Sequence, residues 1–323
     1  MRIVNLNVLL LGSALAAGTA SQLGACGPYC EPEPAAIKFP GIARASVLRG
    51  DYLLCANDAD RIIAVDLKRG KTFDLGSADA KRWHDADVAD GHALLLDRGR
   101  LLAVALSDGK TVHEVPIGDD PAWSFGFAGT GRAFVHRGRS VAILELATRK
   151  TLHTIELGDG DTRRSPAWQK VGSRLFVPGP ATTLCVIDLD SGKLCERFAL
   201  DSRAGIAALH VEGSQVYCIG SASAWAARID HVTCFDLEMK TSFLFDLPRE
   251  VRRAGRLASG AYGTVYLIDG NRLDRFTMAG EQCGSFTAPG PDAVLAVWHQ
   301  RAVIALKDEI RLLEIKETPV TRK

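Results

Sequence analysis

The chain has 323 residues, 39 Lys and Arg against 38 Asp and Glu, a net charge of +1, 47% hydrophobic residues and 31 glycines. That balance gives no electrostatic case for nucleic acid or for a strongly acidic partner. The length suits two average domains or one repeat fold, and glycine is plentiful enough for many turns.

The N-terminus reads separately from the rest. Met1-Arg2 brings a positive charge, and Val4–Ala17 is mostly apolar and small, too short to span a bilayer. This is the pattern of a signal peptide over residues 1–25. Two cleavage readings stay open. Gly18-Thr19-Ala20 offers small residues to an ordinary signal peptidase, whereas Leu23-Gly24-Ala25-Cys26 resembles the bacterial lipobox, whose cysteine is acylated. Export is the expectation by either route: periplasmic, secreted, or membrane-anchored through lipid on Cys26, with no other membrane contact. Residues 26–40, with prolines at 28, 32, 34 and 40, read as a tether.

The body, residues 41–323, repeats a short plan. Its cleanest copy is Ser173–Leu200: an apolar run, a Pro/Gly loop, a second run ending in Asp188-Leu189, the turn Asp190-Ser191-Gly192-Lys193, and a third run. Aligning the residue that closes the third strand of each copy picks out Asp66, Ala105, Glu145, Asp188, Asp236, Thr277 and Glu314. Upstream lie strand-like runs such as Asp51–Cys55, Arg132–His136 and Thr264–Ile268, preceded by a shorter segment often ending in Gly. Four strands per unit at a period near forty predicts an all-β, seven-bladed β-propeller with four-stranded antiparallel blades. Nothing competes with it at helical periodicity. The tail Glu317–Lys323 is a weak outer strand because Pro319 cannot donate to a ladder, so Ala35–Phe39 could supply or reinforce the closing edge.

Units such as Val186–Lys193, Ala64–Lys71 and Ala103–Lys110 resemble repeats of the YVTN and quinoprotein-like (PQQ-like) propeller superfamily. The resemblance implies an exported propeller, in a group that includes cofactor-binding dehydrogenases, lactonase-like enzymes and non-catalytic scaffolds. The Tyr-Val-Thr-Asn tetrad itself is replaced by Tyr217-Cys218-Ile219-Gly220 and Tyr266-Leu267-Ile268-Asp269. The adjacent cysteine pair of quinoprotein dehydrogenases has no counterpart here.

Eight cysteines in an exported chain raise the question of disulfides. A turn at 190–193 would set Cys185 opposite Phe198 and Cys195 opposite Asp188, on opposite faces, which argues against that bridge. Cys218 and Cys234 lie in strand-like runs joined by a long loop, and are the expected disulfide, the alternative being two buried thiols. Cys26 and Cys30 could pair only if Cys26 carries no lipid.

Propellers bind ligands where the connections into the innermost strands converge. Those connections are Gly76–Asp87, Gly118–Ser124, Gly158–Trp168, Asp201–Ile206, Pro248–Ser259 and Thr287–Val294. Trp83, Trp123 and Trp168 stand near strand starts, where an indole would stack on a planar ligand or wedge between blades. Arg163, Arg164, Arg252 and Arg253 would hold a carboxylate, a phosphate or an acidic partner, or simply solvate long loops. His84, beside Asp85 and Asp87, has the chemistry of a base or a metal ligand. These eight residues are the ligand-binding candidates. The acidic clusters lack a full calcium loop, and no HxH, HExxH, CxxC, nucleophile elbow or P-loop is present, so no catalytic residue, metal or cofactor is assigned. The expected function is a non-catalytic binding or scaffold module of the cell envelope, its partner a protein, peptide or glycan. The alternative is an enzyme or sensor with a small planar cofactor over the channel.

Overall fold

The computed structural model describes residues 36–41, 43–77, 86–118, 124–159, 167–180, 183–200, 205–221, 229–251, 256–260, 264–277, 280–288, 294–298 and 301–315. Every regular element among them is a β-strand, and the strands form seven four-stranded antiparallel sheets. In six sheets the strand order follows the chain. The seventh takes three strands from the C-terminal end (Val294–Trp298, Arg301–Ala305, Glu309–Glu314) and its outermost strand, Ile37–Lys38, from the N-terminal end.

The second and third strands of the blades have neighbours on both faces, so most of their sequences are apolar runs. Tyr52–Asn57 and Arg61–Asp66 are buried at nearly every position. Outer strands reach the rim and are largely exposed, as in Lys150–Glu156. The hydrophobic core is divided into clusters that lie between blades rather than within them. Leu54, Ala64, Ala93 and Val104 join blades 1 and 2; Leu94, Leu101, Phe125 and Val135 join 2 and 3; Phe134, Ile143, Leu175 and Ile187 join 3 and 4. Phe176, Val186, Val216 and Cys218 join 4 and 5; Ile219, Val232, Leu267 and Phe276 join 5 and 6; Tyr266, Leu273, Leu295 and Ile304 join 6 and 7. Ile37, Phe39, Leu53, Val65 and Val303 then join blade 7 to blade 1. Each neighbouring pair shares a core, and the ring is closed. The molecule is a seven-bladed β-propeller.

The repeated turn has a physical cause. All seven residues aligned from the sequence are the last residues of third strands. Where that residue is Asp, its carboxylate caps the turn: Asp66 accepts from the Lys68 and Arg69 amides at 3.0 and 2.9 Å, and Asp236 from those of Glu238 and Met239 at 2.9 Å. The following leucine donates its amide to the turn between the first and second strands, as in Leu67 to Asp51 (2.9 Å) and Leu189 to Ser173 (2.8 Å). The glycine of the turn at Gly192 has φ +65°, and a side chain there would strike His153 on the outer strand of the preceding blade.

Three expectations change. The segment read as tether over residues 26–40 gives up Ile37-Lys38 to the ring, as the outermost strand of blade 7; the tail, residues 316–323, lies outside the described residues. In blade 4 the turn closes on Asp188 and Lys193, one residue earlier than a turn at 190–193, and a bulge at Cys195 then sets Cys185 opposite Arg197; Cys185 is buried and Cys195 exposed, and both are free thiols. Cys218 and Cys234 are also free. Cys218 pairs with Thr233 and Cys234 with Tyr217, so their side chains leave opposite faces of the sheet, one toward blade 4 and the other toward blade 6.

Candidate functional site

The ring brings its innermost strands together around the axis. Several inner strands carry charged residues, and those that meet across blades form the polar part of the axis. Four blades contribute to one polar group in the described part of the channel. Arg49 ends the inner strand of blade 1 (Ala43–Arg49), Asp87 opens that of blade 2 (Asp87–Ala89), Gly126 and Phe127 belong to blade 3 (Ser124–Gly129), and Trp168 and Lys170 stand at blade 4 (Gln169–Val171).

Asp87 is the centre of this group. It is buried, and its carboxylate accepts the amides of Phe127 (2.7 Å) and Val88 (2.9 Å), with the Arg49 guanidinium 3.9 Å away. Burial pushes its pKa up, and Arg49, the two amides and Lys170 oppose that shift. Arg49 also donates to the carbonyl oxygens of Ala86 (3.1 Å) and Leu48 (3.2 Å), and its guanidinium lies 4.4 Å from the centre of the Trp168 ring. Lys170 donates to the Phe127 carbonyl at 2.9 Å. Each of these contacts crosses from one blade to another or holds a group that does.

Trp168 is 8% exposed. Phe134 meets it edge-on at 5.0 Å and 78°, and a side chain at Gly126 would come within 2.7 Å of the indole. The residue is wedged between blades 3 and 4 with a cation over its face. Beside it, Ser124 and His136 are both buried. The serine hydroxyl lies 3.3 Å from His136 Nδ1, and His136 Nε2 lies 3.3 Å from the Gly138 carbonyl. The carbonyl can only accept, so Nε2 carries the proton and Nδ1 accepts from Ser124. Burial holds the imidazole pKa down, at about 4, so the ring is neutral at physiological pH.

Of the eight ligand-binding candidates, the lipidation candidate and the expected disulfide, Trp168, Cys218 and Cys234 fall within the described part. Trp83, His84, Trp123, Arg163, Arg164, Arg252, Arg253 and Cys26 lie outside the described residues. Sequence reasoning named neither Arg49 nor Lys170 and placed Asp87 only beside His84. The available signal was a charge within the short segment that precedes each hairpin, Arg49 before Tyr52–Asn57 and Lys170 before Arg174–Pro178. Among the described residues, no group of three or more His, Cys, Asp or Glu side chains could hold a metal ion, and no helix is long and apolar enough to cross a membrane.

The class defined by this fold is the β-propeller. No protein-family profile and no curated protein sequence matches the chain. Among solved structures it is similar to the computationally designed Ika8 protein, at 11% identity and a TM-score of 0.57, over 86% of this chain and 98% of that one. At that identity the likeness concerns the fold alone.

Proposed function

We propose that the chain is a non-catalytic binding or scaffold module of the cell envelope, exported by its N-terminal leader and tethered through lipid on Cys26. The resemblance of its turns to the repeats of exported YVTN and quinoprotein-like propellers supports this reading. A protein, peptide or glycan would be met by the end of the ring where the outer strand of one blade crosses to the inner strand of the next. The observation that carries this reading is how the described ionisable groups at the axis are used. Arg49, Asp87, Lys170 and His136 are each engaged with backbone or with another blade, an arrangement that builds a rigid platform. Arg252-Arg253, in one of the longest departures from the repeat in the sequence, would supply the charge for an acidic group.

The test is affinity capture from membranes using the lipid-anchored full chain, beside R252E/R253E. A partner that copurifies with the native chain and falls about tenfold with the variant supports the reading. A chain that captures nothing yet melts higher with pyrroloquinoline quinone and calcium overturns it in favour of a cofactor protein, because a ligand that binds only the folded state must stabilise it.

A further inference from the structure

In blades 1–5 the turn that follows the third strand is tied to the turn between the first and second. The amides of Leu106, Leu146 and Leu237 donate to the carbonyls of Gly91, Gly131 and Ser214, as those of Leu67 and Leu189 do to Asp51 and Ser173. Both sets of turns therefore share one end of the ring, opposite the end where outer strands cross to the next blade.

Capping divides the charge at this turn-lined end. Asp66, Asp188 and Asp236 spend their carboxylates on turn amides, whereas Lys68, Lys71, Arg149, Lys150, Lys193 and Lys240 stand exposed. None of these six cations has an ion-pair partner among the described residues. Arg69 and Lys110 are matched, to Asp66 and Asp108 at 3.3 and 3.2 Å. Of the exposed acids here, Asp90 accepts from the Thr130 hydroxyl (3.3 Å) and Asp190 pairs with Arg132 (2.8 Å). Glu238 and Glu281 are exposed on the turns of blades 5 and 6. The uncompensated positive charge thus forms an arc that runs from blade 1 to blade 4 and fades beyond it.

We propose that the turn-lined end rests on an anionic lipid surface, with the basic arc of blades 1–4 against the headgroups. Exposed cations on long stems suit a surface of many similar charges, because an ammonium needs no fixed partner geometry. The path of the chain brings the same end toward the membrane. Ile37-Lys38 runs antiparallel to the third strand of blade 7, so the chain enters it from the direction of the turn-lined end. Ten residues separate Cys26 from Ile37, a reach of about 35 Å at full extension. This orientation rests on the lipid-anchor reading and adds to it a second membrane contact, leaving the connection-lined end free for a partner. The basic arc itself needs no lipid on Cys26.

Co-sedimentation with vesicles reads the contact directly, using the chain from Gly27 onward, which keeps all seven blades and carries neither leader nor lipid. It is expected to bind phosphatidylcholine vesicles containing about one-third phosphatidylglycerol at about 0.1 M salt, and to leave them at about 1 M. Pure phosphatidylcholine should not bind it. R149E/K150E/K193E should weaken binding by about tenfold or more at unchanged melting temperature, while K307E, at the opposite end, binds as the native chain does. Equal binding to both vesicles, a triple variant that binds like the native chain, or an equal loss with K307E would each overturn the proposal. So would equal affinity for soluble polyglutamate, which would make the occupant an acidic chain rather than a surface. Because this chain carries no lipid, such a failure leaves the tethered reading to its own capture experiment.

Discussion

Gly126 is the residue on which the axial group leans hardest. A methyl group there would stand 2.7 Å from both Phe134 and Trp168 and 2.9 Å from the Asp87 carboxylate, so Gly126→Ala should cost about 1–3 kcal/mol, read as a fall in the urea midpoint. An unchanged midpoint would show that Trp168 has room to move. His136 gives the pH dependence its sign. Its folded pKa, about 4, lies below the ordinary 6.5, so between those values the unfolded chain takes a proton that the folded chain refuses. Stability therefore falls as the pH drops through that window, by about 2 kcal/mol at pH 5. Asp87 acts in the opposite sense: its pKa is raised, so its contribution is full at low pH and lost as pH rises through the raised value. Substitution separates the two. Urea unfolding of His136→Gln should lose about 2 kcal/mol less between pH 7 and pH 5 than the native chain, and an equal loss would contradict the neutral buried ring. Neither Gly126 nor Asp87 stands out in the sequence, because what matters is a contact among three blades that lie far apart along the chain.

At the scale of elements, the turn after the third strand was legible almost residue by residue. An Asp that caps, a Leu that is buried and a Gly at positive φ each leave a fixed letter in the sequence. Two copies depart from it at the last position: Arg149 at φ 62° and Lys240 at φ 54° occupy the left-handed region without being glycine. Arg149→Gly and Lys240→Gly should each stabilise the protein by about 0.5–1 kcal/mol, raising the melting temperature. Gly192→Ala should lower it, since His153 of the preceding blade fills that space. A rise with Gly192→Ala would contradict the packing of turn on outer strand. The exact turn residues and the bulges were not legible, because a shift of one residue changes the register without changing composition. The turn of blade 4 closes on Asp188 and Lys193, one residue early, which is why Cys185 faces Arg197 rather than Phe198. Thiol labelling checks the consequence: Cys195 should react in the native state, whereas Cys55, Cys185, Cys218 and Cys234 should react only on unfolding.

The whole molecule is a ring in which each sheet is stabilised by its two neighbours, so the junction between blade 7 and blade 1 matters more than any one blade. The seven-part period made the ring readable from the sequence. The closure was left between two candidate strands, since Ala35–Phe39 carries no repeat of its own. The structure stitches that segment on both sides. Ile37 and Lys38 pair with Ile310 and Glu309, the Phe39 amide donates to Asp308 (2.9 Å), and the Asn57 side chain of blade 1 donates to the Pro40 carbonyl (2.8 Å). Trp298 of blade 7 donates to Asp51 of blade 1 at 3.1 Å beneath the same seam. Equilibrium urea unfolding of the chain beside one that begins at Ala43 tests this closure most directly. Exposing Ile37 and Phe39 should remove about 3–6 kcal/mol, with the loss centred on the blade 7–blade 1 junction. Equal stability of the two chains would mean that the ring closes without its N-terminal strand.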